Sequence, residues 1–418
     1  MSNKIRKLKR VKPEKKRKFS LLALAPKSDK IISVCVFLLM VIGLLMITSV
    51  AVGTVGTPAG ENVIISDAAV TTALIKQIIF MGAGYLVLWF VNRFLSLRLF
   101  SVFQGLAVAL YAVINALPLL FPAVNGSRAW IHLPGGLSIQ PAEFVKPLMI
   151  ILIAIAFMRI EDKPKKFNTI KSAFRIPIVA FIIFGIEIAL QRDFGTLAII
   201  GFIAFICFIL VDMPLTRKAQ KLCIFAFIGA FVGVVIVMAN SNFLTELLEN
   251  TPLSHIAVRI DNAKNPYNDP YGQGYQPANA LYGIADSGIV GKGFGASSRK
   301  FGYLTQAESD YIFAVMIEET GIFGLGLLVL LYGLLIYRLL YYAFKTTDSS
   351  KKVILTGNCA YLFIHFALNV GGVSALIPMT GIPLLFISEG GSSLMAICAT
   401  IGLSQRCISD IRRYELRK

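Results

Sequence analysis

Charge is scarce in this chain. Of its 418 residues only 15% are Asp, Glu, Lys or Arg, while 56% are hydrophobic and the mean hydropathy is +0.72. Soluble domains carry about 25% charged residues, so a water-soluble globular fold is excluded and the chain reads as an integral membrane protein. Histidine is scarcer still: His132, His255 and His365 lie far apart in sequence and no H-E-x-x-H occurs, so a zinc site is not indicated. The six cysteines, at 35, 207, 223, 359, 398 and 407, lie in or beside apolar runs with no C-x-x-C pair and no regular spacing. That pattern indicates neither a disulfide framework nor a thiolate metal site. Fixed-period repeats and paired interrupted helices are missing too, which speaks against a transporter built from two related halves.

What the chain has instead is a series of long apolar runs. A bilayer core about 30 Å thick requires roughly 20 apolar residues per helix, and such runs occupy about 30–52, 72–94, 99–121, 139–159, 174–191, 194–211, 221–239, 311–342, 353–376 and 384–405. Runs of this length predict helices, because barrel strands would be about ten residues long and alternate in polarity. The expected fold class is therefore all-α and polytopic, with about ten transmembrane helices.

Lys and Arg set the expected orientation, since positive flanks stay in the cytoplasm. The leading tail contains "NKIRKLKRVKPEKKRK", whereas the first loop, "GTVGTPAGENVIISDAAVT", has neither residue. Later basic connections at 159–175, 212–221, 343–352 and from Arg406 alternate with sparsely basic ones. Both termini are thus expected in the cytoplasm, with one long extracellular loop, 240–310, between spans seven and eight. The organisation expected is a basic tail 1–29, a membrane domain 30–405 and a second basic tail 406–418. The first run is too long for a typical signal peptide and reads as a retained helix. The net charge of +18 is accounted for by flanks that meet anionic membrane lipids, so no nucleic-acid partner is expected.

The loop 240–310 reads as an ordered cap, because it is rich in tyrosine and holds apolar patches such as "ALYGIA". Its glycines at 288, 291, 293 and 295 surround Lys292. Two readings stand there: turn-formers in a compact loop, or a backbone cradle for an anion such as a lipid diphosphate.

Ionisable groups inside a bilayer are costly unless paired or hydrated, so each is a candidate functional group. Glu143 and Lys146, three residues apart in "QPAEFVKP", share a helix face; they make either a structural ion pair or a polar route for a charged substrate. Glu187 and "QRDFGT" (191–196) form a second polar cluster at an outer turn. Glu318 and Glu319 cannot both face one way, and Glu318 lies eight residues from Asp310, which predicts a polar cleft shared by Asp310 and Glu318. Glu389 sits among glycines and prolines in a stretch expected to be non-helical and to line the same cleft. Asp310 itself is either an acidic residue favoured by the helix dipole at the start of span eight or a catalytic carboxylate.

Taken in order, "NGSRAWI" (125–131), "QPAEFVKP" (140–147), "QRDFGT" (191–196), "GYQPANALYGIADSGIVGKGFGASSRKFGYL" (274–304), "ESDYIFAVMIEETG" (308–321) and "NVGGVSALIPMTGIPLLFISEGGSSL" (369–394) resemble the SEDS family of shape, elongation, division and sporulation proteins, from about Asp29 to Leu403. The stretch "GKGFGASSRKFGYL" is more similar to its division branch than to its elongation branch. The resemblance implies a peptidoglycan glycosyltransferase that polymerises lipid II on the outer face of the bacterial cytoplasmic membrane at the division septum. It implies work with a class B penicillin-binding protein among divisome proteins. It implies Asp310 as the essential loop aspartate, and Arg128, Trp130, Lys292, Glu143 and Lys146 as substrate-binding residues. Under that reading Asp310 is the general base, less exposed Asp310 being preferred over Glu308, and Lys292 and Arg128 neutralise the departing diphosphate. No cofactor is evident, and a divalent cation is left open. The chain departs from the family at Thr305 and Gln306, where proline and glutamate are usual, and at Glu389, where tyrosine is usual. A lipid II flippase and a divisome scaffold are the competing readings.

Overall fold

In a computed structural model the described residues are 27–53, 67–124, 126–133, 137–239, 265–269, 271–272 and 274–415. Most of the leading tail, the first loop, residues 240–264 with His255, and residues 416–418 lie outside them. The helices are α1 (Lys30–Gly53), α2 (Asp67–Phe94), α3 (Leu97–Ala116), α4 (Ala142–Asp162), α5 (Ile170–Leu190), α6 (Phe194–Ile209), α7 (Arg217–Ala239), α8 (Tyr275–Ala285), α9 (Ile312–Lys345), α10 (Ser349–Val373) and α11 (Gly391–Glu415). Seven helices among the described residues are long and apolar enough to cross a membrane.

Burial is inverted relative to a soluble bundle. In α3 the buried side chains are Gln104, Val108 and Asn115, while Leu99, Val102, Phe103, Leu106, Leu110 and Val113 are exposed. In α2 Gln77 and Asn92 are buried and Ile75, Ile78, Ile79 and Leu86 are exposed. Water would drive the opposite arrangement, whereas lipid accepts apolar side chains and leaves polar ones to pair inside. α4, α10 and α11 form the interior: Leu152, Ala154, Ile155 and Phe157 of α4 are buried, as are Leu355, Tyr361 and Leu362 of α10 and Ile397, Cys398 and Ile401 of α11.

Three features differ from the expected spans. The last helix begins at Gly391 instead of 384 and runs on to Glu415, so residues 406–415 are helical where a tail was expected. The preceding stretch 374–390 is non-helical, as its glycines and prolines suggest, with Ala375 and Phe386 in left-handed conformation at φ 56° and 67°. The strand pair β1 (Ile131–Leu133) and β2 (Leu137–Ile139) adds a small antiparallel hairpin, with Ile131 opposite Ile139, to what was read as purely helical. Three-residue strands give too short an alternation to be seen in sequence.

α9 is broken at Gly321, whose φ of 61° and ψ of −153° interrupt the helix. The loop after α8 docks there: Lys292 N donates to Glu318 O at 2.9 Å, Gly293 N to Glu319 O at 3.0 Å, and Ile322 N to Ile289 O at 3.0 Å. A Cβ on Gly321 would lie 2.4 Å from the Ile289 carbonyl oxygen, so both the backbone angle and the close approach require glycine. Of the loop 240–310 expected to be an ordered cap, residues 274–310 dock on α9 in this way, and residues 240–264 lie outside the described residues.

Candidate active site

The segment just before α9 is fixed through its main chain. The carbonyls of Glu308, Ser309 and Asp310 accept in turn from Glu389 N (2.8 Å), Ser388 Oγ (2.7 Å) and Asn369 Nδ2 (3.0 Å). Asn369 also donates to Ile382 O at 2.9 Å. One helix side chain and one non-helical segment thus hold Asp310 in place, and segments of that kind survive in a membrane only when protein bonds their backbone.

Asp310 borders a cavity of about 440 Å³. Trp130 just before the hairpin and His132 within it, Glu143 and Lys146 from α4, Asp193 and Thr196 at the start of α6, His365 from α10, and Thr380, Gly381 and Glu389 from the non-helical segment 374–390 line it as well. Gly381, at φ 67°, lies next to this carboxylate: a Cβ there would sit 3.4 Å from Asp310 Oδ2, and the left-handed backbone favours glycine. At the floor, Lys146 Nζ donates to Glu143 Oε1 at 2.6 Å and contacts His365 Nε2 at 3.1 Å. Tyr361 OH donates to Glu143 Oε2 at 3.3 Å. An ammonium has only protons to give, so His365 accepts at Nε2 and donates from Nδ1 to Pro383 O at 3.2 Å. Glu143 and Lys146 are 3% and 1% exposed, and they form the pair their spacing predicts.

Asp310, Trp130, Glu143 and Lys146 come together in this cavity. Arg128 does not: it lines a separate cavity of about 280 Å³ with Arg192. Lys292 lies in neither; its Nζ donates to Glu318 Oε1 at 2.6 Å. The cleft expected to join Asp310 and Glu318 is corrected accordingly. Glu318 is fully buried and faces the loop, where it accepts from Ser297 Oγ (2.5 Å), Ser298 Oγ (2.9 Å) and Lys292. Glu319 meets the same loop, accepting from Ser297 N (3.3 Å) and the buried Lys300 (3.0 Å), and also accepts from Ser49 of α1 (2.6 Å). The glycines around Lys292 thus serve as turn-formers that dock this loop.

Glu308 is also placed differently from its expected exposure. It is half-buried and does not line the cavity. Burial pushes its carboxyl above the ordinary 4.5, and the Glu389 carboxylate adds to this against the opposing Lys76. Lys76 of α2 bridges Glu389 at 2.5 Å. Sequence reasoning missed His365 and Asn369. Their signal was present as polar residues Asn358, His365 and Asn369 recurring at helical spacing in an apolar run. Among the described residues no group of three or more metal-ligating side chains is placed to hold an ion.

The family described as Cell cycle protein, spanning FtsW, RodA and SpoVE, matches residues 29–413. The chain belongs to this family. It is 33% identical over 315 residues to the probable peptidoglycan glycosyltransferase FtsW of Bacillus subtilis (strain 168), covering 75% of this chain and 74% of that one. Stage V sporulation protein E of the same organism is 28% identical over 395 residues, covering 92% and 97%. Among solved structures, a chain from a peptidoglycan synthase complex has a TM-score of 0.68 at 23% identity, covering 92% of this chain and 99% of that one. RodA of Thermus thermophilus has a TM-score of 0.55 at 24% identity, covering 92% and 98%. These structural likenesses bear on the fold, and the chain shares it with the family as a multi-pass membrane protein.

Proposed function

We propose that this chain polymerises lipid II into glycan strands at the outer face of the cytoplasmic membrane, with the Asp310 carboxylate as general base. Peptidoglycan glycosyl transfer is the activity for which its family relatives are named. The observation that carries the mechanism is that Asp310 borders the 440 Å³ cavity with Trp130, Glu143 and Lys146, while the neighbouring Glu308 does not. A hydroxyl of one sugar attacks the anomeric carbon of another, its proton passes to Asp310, and the bond to the polyprenyl diphosphate breaks with the electron pair leaving on the diphosphate. Trp130 offers an apolar face to a sugar, and the buried Lys146 supplies positive charge beneath it. Arg128 takes the departing diphosphate. Lys292, committed to Glu318, is read as an anchor of the docked loop.

The same reading has about ten spans, both termini in the cytoplasm, the loop 240–310 outside, a class B penicillin-binding protein as partner and the division septum as location. The basic flanks and the resemblance support it. The flippase reading draws on one observation, a buried polar thread beyond the cavity in which Asn358 Nδ2 donates to Ser404 Oγ and Thr400 Oγ1 donates to Asn358 Oδ1, each at 3.0 Å. Transbilayer movement of labelled lipid II in vesicles without polymerisation would favour it.

General-base catalysis contributes about 10²–10⁴-fold. Asp310→Asn is therefore expected to lower lipid II polymerisation by that factor, read as glycan products on a gel, and Glu308→Gln to be much milder. Polymerisation by the Asn variant above about a tenth of the parental rate would remove Asp310 from the base role.

A further inference from the structure

The ammonium at the floor of the Asp310 cavity has three protons to place. Lys146 Nζ gives one to Glu143 Oε1 at 2.6 Å and a second to His365 Nε2 at 3.1 Å. The ring of Tyr361 backs it, with its centroid 5.4 Å from Nζ. Lys146 lines the cavity, so the third N–H is left for an oxygen that enters. His365 suits this arrangement because it is a neutral acceptor. Its Nδ1–H is given to Pro383 O at 3.2 Å, which turns the Nε2 lone pair to Lys146. A carboxylate in its place would set a second negative charge beside Glu143 and cancel the field of the ammonium; the imidazole holds the cation without doing so.

The same imidazole ties this cation to the segment that carries Asp310. His365 and Asn369 lie one turn apart in α10, share a face, and are both fully buried. They take consecutive carbonyls of the non-helical segment 374–390, His365 donating to Pro383 O and Asn369 to Ile382 O at 2.9 Å. Proline has no N–H, so the segment offers acceptors at this point and α10 meets them with two donors. Asn369 donates to Asp310 O as well, at 3.0 Å. One turn of α10 therefore fixes where the Lys146 ammonium and the Asp310 main chain stand relative to each other, although α4 carries the first and the approach to α9 the second.

We propose that His365 is a positioning residue for the glycosyl transfer. It fixes the Lys146 ammonium so that one N–H remains for a substrate oxygen, and with Asn369 it sets the place of that cation relative to the Asp310 carboxylate. No bond to His365 forms or breaks in the reaction; it acts through Lys146 and the carbonyls of residues 382 and 383. This deepens the polymerase reading and rests on it for the identity of the substrate. A histidine that merely filled the core would require neither the Nδ1–H tautomer nor the ammonium beside it.

The first readout does not depend on turnover. The chain has only three histidines, so solid-state nitrogen NMR of the full-length, histidine-labelled protein in bilayers separates their rings, and the His365 signals are those lost in His365→Gln. At neutral pH His365 is expected as the neutral Nδ1–H tautomer. Its Nε2 resonance is expected to move in Glu143→Gln/Lys146→Met, which removes both charges together and leaves no buried charge unpaired. An Nε2–H tautomer, or an Nε2 indifferent to loss of the ammonium, overturns the inference. The second readout is kinetic, per folded molecule and well below the thermal midpoint. His365→Phe, close in size and without ring nitrogens, is expected to lower kcat for lipid II polymerisation by about 10- to 100-fold, the scale of an ångström's misplacement, at little change in KM. His365→Gln, whose amide can accept from Lys146 and donate to Pro383 O, is expected to restore most of that rate. Parental kcat in His365→Phe, a loss confined to KM, or a Gln variant no faster than Phe overturns the positioning role. Normal polymerisation by Asp310→Asn would overturn the base assignment and leave the tautomer and the His365 rates standing.

Discussion

Asp29 and Asp310 both stand just before a long helix, at opposite ends of α9, and their surroundings have little in common. Asp29 Oδ2 accepts from Arg338, from Tyr342 OH at 2.9 Å and from Arg412 Nη2 at 2.7 Å, and Oδ1 accepts from Ile31 N at 2.8 Å. Its main chain is clasped by Gln405, which accepts from Asp29 N at 2.7 Å and donates to Asp29 O at 2.8 Å. α1, α9 and α11 meet at this carboxylate, which is 1% exposed. At the other end the main-chain carbonyls of residues 308–310 are bonded by Glu389, Ser388 and Asn369, and the Asp310 side chain borders open volume. A carboxylate enclosed by donors from three helices holds them together; one whose backbone is fixed and whose side chain borders a cavity suits the base role proposed for it.

The sharpest way to break this contrast is inside the cavity itself. Glu143→Gln leaves the Lys146 ammonium buried without its counter-charge, which is expected to destabilise the protein by roughly 3–5 kcal/mol. The measurement is folded yield and thermal midpoint in detergent. A variant that is as stable as the parent but inactive would move the pair from the structural class to the catalytic one.

Next in size is the Asp29 cluster. Burial pushes its carboxyl up, but the hydrogen bonds from Arg338 and Tyr342 outweigh burial and hold it below the ordinary 3.8. A depressed carboxyl stabilises the fold fully above 3.8 and loses that contribution as pH falls through its folded value. Asp29→Asn is expected to cost about 1–3 kcal/mol at neutral pH and to flatten the fall of the thermal midpoint below pH 3.8. An unchanged acid limb would contradict the cluster's role. Glu308 has the opposite sign: its raised carboxyl favours the protonated folded state, so its contribution is present below 4.5 and lost as pH rises through the folded value. Glu308→Gln removes that loss, visible as a smaller drop in thermal midpoint above pH 4.5.

The smallest effect is expected from the tail up to Lys18. Its charge run has no apolar periodicity to fold on, so a truncation lacking it polymerises normally in detergent. Loss of activity in a folded truncation would connect the tail to the Asp310 cavity.

The long apolar runs made the helices legible, because hydrophobic length is a local property. Glu143 and Lys146 were legible for the same reason, being one helical turn apart. Lys292 was not: its partner Glu318 lies 26 residues on, and no spacing rule joins a loop cation to a helix carboxylate. His365 gave only a lone histidine, and its meaning comes from Lys146 and Pro383, which distant segments bring to it. Arg128 and Arg192 share a cavity through a staple at Gln191 O, a long-range contact that motif reading divided between two separate stretches.

The contrast between the two aspartates is tested most directly by measuring lipid II polymerisation and thermal midpoint together for Asp310→Asn and Asp29→Asn in otherwise full-length protein. Asp310→Asn is expected to lose about 10²–10⁴-fold in polymerisation at an unchanged midpoint, and Asp29→Asn to lose stability while each folded molecule keeps the parental rate. An Asp310→Asn protein that melts early, or an Asp29→Asn protein that is fully folded and inactive, would contradict the assignment of chemistry to one end of α9 and helix assembly to the other.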